Sequence, residues 1–204
     1  MTNQELADIL KNHIPEKAIP QIVEWIVIYK VQMTITRERE SKLGDYRSPL
    51  QGKGHRISVN GSLNKYAFLI TLVHEFAHLF VWERHKNNVQ PHGEEWKMTF
   101  RKSLKPFIDI HVFPTDLTIA LLKHLSDPPA SSSKDVALQK ILKKYNDGDK
   151  KIVHLDELSD GTKFYFQERL FVKVENLRKY IRCQELPSKR YFKIHPLAEI
   201  SPAE

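Results

Sequence analysis

The chain has 204 residues and a mass of 23.9 kDa, room for one compact domain and a small appendage but not for two full enzyme domains. Hydrophobic residues make up 41% and charged residues 28%, which excludes wholesale disorder and a fibrous repeat. The net charge of +7 favours polyanions, of which nucleic acid is the commonest in cytosol, or makes a solvated basic surface.

Met1 to Ile14 lacks the basic start and apolar run of a signal peptide, so a cytoplasmic protein is expected. Thr2 to Ile14 and Glu16 to Lys30 read as two helices separated by Pro15, the second with Ile19, Ile22, Val23, Ile26 and Val27 at helical spacing. The period then changes to alternation: Val31 to Ile35, a Lys-Leu-Gly-Asp turn, Tyr46 to Pro49, and Ile57 to Asn60 predict three short strands. Ser62 or Asn64 caps a long helix running to about Lys86, apolar almost all round through Trp82 and therefore interior. Its most apolar part, Tyr66 to Trp82, contains His74, Glu75 and His78, whose polarity is too costly in lipid for a membrane span. Pro91, Glu94 and Glu95 open another helix through about Leu104, and a short helix follows Thr115. Asp127 to Lys134, DPPASSSK, reads as an exposed connector. Beyond it, Asp135 caps a helix through Tyr145. The segments Ile152 to Leu155, Lys163 to Phe166, Leu170 to Val174, Arg178 to Cys183 and Arg190 to Ile194 then alternate as a small antiparallel β module.

The residues that carry chemistry lie in VHEFAH. His74 and His78 are four apart, so on a helix both imidazoles lie on one face and can grip one cation. Glu75 is beside a ligand but off ligand spacing, where it can take a proton from a metal-bound water. Two histidines and a glutamate in an apolar helix bear a burial cost of several kcal/mol, which a zinc ion offsets. The plainer alternative is core histidines bonded to backbone carbonyls with Glu75 in a salt bridge. A catalytic zinc needs a third protein ligand and an open position. Among His85, His92, Glu94 and Glu95, His85 lies about 10 Å further along the helix axis, too far for the same ion. His92, in the tight Pro91-His92-Gly93 segment, is preferred. Glu94 or Glu95 would give a glutamate-type zinc peptidase, although capping electrostatics is their simpler role. One cysteine, Cys183, allows no intramolecular disulfide and no all-cysteine zinc site, and reads as a small buried hydrophobe in a reducing compartment.

The stretch VHEFAHLFVWERHKNNVQPHGEEWK resembles the SprT-like family of zinc metallopeptidases, zincins that include bacterial SprT proteins and eukaryotic Spartan proteases. That family places its third zinc histidine in an HG dipeptide followed by an aromatic residue, as His92-Gly93 is followed here by Trp96. Leu43 to Tyr46 and Ile57 to Asn60 are also similar to the family's stretch before its active-site helix. The resemblance covers roughly residues 3 to 110. It implies one Zn²⁺ per chain on His74, His78 and His92, Glu75 as catalytic acid/base, and cleavage of a protein substrate, which for Spartan-type members is one crosslinked to DNA.

The expected fold class is α+β: a mainly helical zincin-like domain over residues 1–126 with a small three-stranded sheet, a linker at 127–134, and a helix plus a small basic β module at 135–204. Bacterial relatives often end in a four-cysteine zinc ribbon, so this module is expected to be ribbon-like without metal. Residues 163–193 hold nine Lys/Arg against three Glu. Lys163, Arg169, Lys173, Arg178, Lys179, Arg182, Arg190 and Lys193 interleave with Phe164, Tyr165, Phe166, Phe171, Tyr180, Tyr191 and Phe192, as contacts for single- or double-stranded DNA or simply as a charged surface over an aromatic core. The expectation is a DNA-recruited zinc endopeptidase. Its rivals are a nucleic-acid-binding or scaffold protein with structural zinc and vestigial activity, and a peptidase indifferent to DNA.

Overall fold

The computed structural model describes residues 2–37, 42–129, 135–146, 153–186 and 188–203. The fold is α+β and divides into two compact units, Met1–Asp147 and Gly148–Glu204.

In the first unit, α1 (Asn3–Lys11) opens with a capping box in which Thr2 and Glu5 satisfy each other's backbone N–H groups. After a 3-10 turn at Glu16–Ala18, α2 (Ile19–Ile28) buries Ile19, Ile22 and Ile26. Three strands follow: β1 (Gln32–Thr36), β2 (Gly44–Arg47) and β3 (Arg56–Asn60), ordered β1-β3-β2. β1 runs parallel to β3 and β2 antiparallel to it, so β2 is an edge strand. The expected Lys-Leu-Gly-Asp turn ends sooner than its sequence suggests, because Gly44 already pairs with Val59 and Asp45 with Ser58. Ile57 and Val59 alternate onto the buried face.

Helix α3 (Lys65–His85) begins at Asn64, whose side chain accepts from the N–H groups of Tyr66 and Ala67 at 3.1 and 2.9 Å. Its interior position matches its apolar circumference: Phe68, Leu69, Leu72, Val73, Phe76, Ala77 and Leu79 are wholly buried. α4 (Glu94–Asp109) carries both acids in its first turn and runs past the expected Leu104, with Pro106 inside it. α5 (Thr115–Ser126) and α6 (Val136–Lys143) complete the unit. The sequence groups α6 with the β module; in the structure Leu138 and Leu142 are buried in the first unit's core. Asp135 fixes this placement with both oxygens, one accepting from Leu138 N–H at 3.1 Å and the other 2.8 Å from the Nδ1 of buried His124 in α5. Residues 130–134 of the expected linker lie outside the described residues.

The second unit is one antiparallel sheet of six strands among the described residues: β4 (Val153–His154), β5 (Lys163–Phe166), β6 (Arg169–Asn176), β7 (Ile181–Leu186), β8 (Tyr191–Ile194) and β9 (Glu199–Pro202), ordered β4-β9-β5-β6-β7-β8. β9 is too short and too weakly alternating to be read from sequence; pairing with β4 and β5 defines it. Phe164 opposite Phe171 and Cys183 opposite Phe192 form the inner row, while Tyr165 and Tyr191 face outward at 47% and 62% exposure.

Candidate metal centre

His74 and His78 project from one face of α3, one turn apart, with their Nε2 atoms 3.3 Å from each other. The third imidazole arrives from a turn. Gly93 N–H donates to Gln90 O at 3.0 Å, Pro91 occupies the second position, and His92 the third with φ of +58°. This is the type II pattern, which usually reserves that third position for glycine. His92 holds a left-handed backbone costing about 1 kcal/mol or more, a strain that points to a task for its side chain. Its Nε2 lies 3.0 Å from that of His78 and 3.3 Å from that of His74.

The triangle fits a tetrahedral zinc. A Zn–N length of about 2.0–2.1 Å demands nitrogens about 3.3–3.4 Å apart, close to the separations here, and leaves a fourth position open. Among the described residues these histidines form a cluster able to hold a cation, whereas His85, Glu94 and Glu95 are not part of it. Glu94 is 77% exposed and pairs with Lys97. Burial, then the neighbouring imidazoles, push His74 down to about 2 and His78 to about 4. Both rings are therefore neutral near pH 7, the form that ligates metal.

Trp96, from α4, closes the floor. Its ring lies 4.5, 5.3 and 4.7 Å from those of His74, His78 and His92, it is 1% exposed, and its buried Nε1 has no acceptor among the described residues. Glu75 is 6% exposed and packs beneath β2. A Cβ on Gly44 would come within 2.5 Å of its Oε1 and 2.9 Å of its Cγ, so β2 runs over the carboxylate at a distance only glycine allows. A glycine inside a strand is the sequence signal of such close approach, and Gly44 is one.

Tyr46 stands two residues further along β2, its ring parallel to that of His78 with centroids 6.5 Å apart. Its hydroxyl is 3.0 Å from His55 Nδ1, and His55 Nε2 is 3.1 Å from Glu83 Oε1. A carboxylate only accepts, so in the neutral ring Nε2 carries the proton and Nδ1 accepts from Tyr46 O–H. Burial, then the charge of Glu83, raise the Tyr46 phenol above its ordinary value, keeping it protonated. Tyr66 packs on Tyr145 and Phe113. Tyr46, His78, His92 and Trp96 line a cleft of about 840 Å³.

In the second unit the basic residues divide. Lys173 must be corrected: it is 3% exposed and its ammonium donates to Leu158 O at 2.7 Å, because its register beside Cys183 turns it inward. Arg169 donates to Glu185 at 2.5 Å and lies over the rings of Phe192 and Phe171, and Arg182 pairs with Glu175 at 2.5 Å. Lys163, Arg178, Lys179, Arg190 and Lys193 are exposed. Cys183 is buried as expected, which raises its thiol to about 11.

The first unit is thus an α+β domain whose central helix carries a candidate three-histidine metal centre in an open cleft. Residues 19–112 match the model of the SprT-like family, so the chain carries a SprT-like domain; that family is generally of zinc metallopeptidase type. No curated protein and no solved structure matches the chain. Among the described residues no helix is long and apolar enough to cross a membrane.

Proposed function

We propose that the chain is a zinc-dependent endopeptidase in which His74, His78 and His92 hold the metal and Glu75 is the general acid/base. The observation that carries this reading is the triangle of Nε2 atoms, 3.0 to 3.3 Å on each side, with the Glu75 carboxylate adjacent on the same helix. Zinc, when bound, supplies Lewis acidity toward a peptide carbonyl and acidifies water. The chain's own residues do the rest. Glu75 takes the proton of the attacking water and returns it to the amine nitrogen as the C–N bond breaks, and its packing under Gly44 fixes the direction of that transfer. The cleft admits a chain segment alongside His78 and His92, and Trp96 keeps water out beneath the imidazoles. Glu75→Gln tests the assignment: zinc content is retained and cleavage is lost.

The finer reading is a cytoplasmic peptidase acting on DNA-bound or DNA-crosslinked proteins. Its support is the exposed Lys163, Arg178, Lys179, Arg190 and Lys193 in a unit that also exposes Tyr165, Tyr180 and Tyr191, the mixture suited to phosphate neutralisation and base stacking. Cleavage of one protein substrate with and without DNA is the test; equal rates remove the DNA role.

A further inference from the structure

The charge of the cleft is one-sided. Among the described residues its wall carries Arg47, Arg56 and Lys86 and no aspartate or glutamate. Two of these cations are engaged: Arg47 donates to Asp45 at 2.9 Å, and the Lys86 ammonium lies 3.7 Å from the Trp82 ring centroid and 3.7 Å from Glu83. Arg56 differs. Its Nη2 reaches only the Ser48 carbonyl, at 3.5 Å, and its buried Nε has no acceptor among the described residues. It also stands directly opposite Arg47 in the β2–β3 register, where like charges repel. A guanidinium with unmet donors, beside a second one, in a cleft wall without carboxylates among the described residues is an arrangement that a bound anion stabilises.

The lining decides which anion. Pro49, Leu50, Val81 and Val89 share this wall with His78 and His92, apolar side chains that suit those of a polypeptide lying along the cleft. We propose that Arg56, reinforced by Arg47, forms a subsite for an aspartate or glutamate side chain of a bound polypeptide, so that the cleft selects acidic segments close to the bond it cuts. This rests on the peptidase reading of the same site.

The test uses the full chain loaded with zinc. Fluorescein-labelled peptides differing only by Glu or Gln at single positions are titrated into the Glu75→Gln protein, with anisotropy as readout, and the unlabelled pairs are offered to the wild type for cleavage. The Glu peptide binds about tenfold more tightly, the size of one charge-assisted hydrogen bond. That preference disappears with Arg56→Gln and turns toward Lys with Arg56→Glu, an inversion that a merely structural role of Arg56 would not produce. Equal binding of both peptides, binding of neither, or a preference untouched by Arg56→Gln overturns the subsite. So does Arg56-dependent displacement by a single-stranded oligodeoxynucleotide, which would make phosphate the ligand. If the wild type cuts no peptide while the Arg56-dependent preference persists, the peptidase reading fails and the subsite stands. If it cuts Glu and Gln peptides alike, the reverse holds.

Discussion

Replacing Gly44 with alanine isolates the contact between the edge strand and the proposed catalytic carboxylate. Among the described residues the glycines at positive φ are Gly52 and Gly161, so Gly44 is required for space and not for backbone freedom. The added methyl would sit 2.5 Å from Glu75 Oε1, 2.9 Å from its Cγ and 2.8 Å from Thr71 Cγ2, against about 3.4 Å or more for ordinary contact. Glu75 must therefore yield by about 0.9 Å, in a site where it is 6% exposed and has little room to turn. A displacement of about 1 Å in a positioned group costs on the order of a hundredfold in rate. Stability changes less, since overpacking costs about 1–3 kcal/mol and alanine's reduced unfolded-state entropy returns about 0.4–1 kcal/mol. The assay pairs kcat on a peptide substrate with zinc content and thermal melting. Gly44→Ala should keep its zinc, melt as one transition and lose about a hundredfold in kcat. Gly54→Ala, whose Cβ meets nothing nearer than Lys30 O at 3.8 Å, is the control. Full zinc with wild-type kcat in Gly44→Ala would refute the claim that β2 holds Glu75 in its working position.

The metal-free chain should lose stability in acid. His74 and His78 are lowered in the fold from 6.5 to about 2 and about 4, so their stabilising effect is complete above pH 6.5 and declines below it as the unfolded chain takes up their protons, continuing to about pH 4 for His78 and about 2 for His74. Denaturant titrations of the apo chain at pH 7.5 and 5 should show this loss, and equal stabilities would contradict it. Tyr46→Phe and His55→Asn remove successive links of the Tyr46–His55–Glu83 chain; each should lower kcat with zinc content unchanged, and a fall in zinc instead would give the network a purely structural role. In the second unit, joint substitution of Lys163, Arg190 and Lys193 by glutamine should flatten the salt dependence of oligonucleotide binding. Lys173→Met should leave that slope unchanged, a result that nitrocellulose filter binding across a salt series decides.

The histidine pair was legible because a four-residue spacing means one helix face wherever the helix lies, and the turn-forming Pro91-His92-Gly93 announced a side chain delivered by a loop. Most helices and the strand alternation were legible for the same reason: period reports local geometry. What sequence left hidden depends on pairing between distant segments. Gly44 looked like part of a turn until its register with Val59 put it above Glu75. The His55–Glu83 link exists only because the start of β3 lies against α3, and Arg56 faces Arg47 only because β2 pairs with β3. The inward turn of Lys173 follows from its opposition to Cys183, which charge counting cannot see. A Pro/Ser-rich stretch does not by itself end a hydrophobic core, and Leu138 and Leu142 of α6 are buried in the core of the first unit.

The most direct test of the central claim is metal analysis combined with X-ray absorption on the purified chain, wild type beside His92→Ala. The account predicts about one zinc per wild-type chain, with three imidazole nitrogens and a solvent oxygen in its coordination shell, and loss of the metal with His92→Ala. A wild-type chain that takes up no zinc, or a zinc enclosed by four protein side chains, would contradict it.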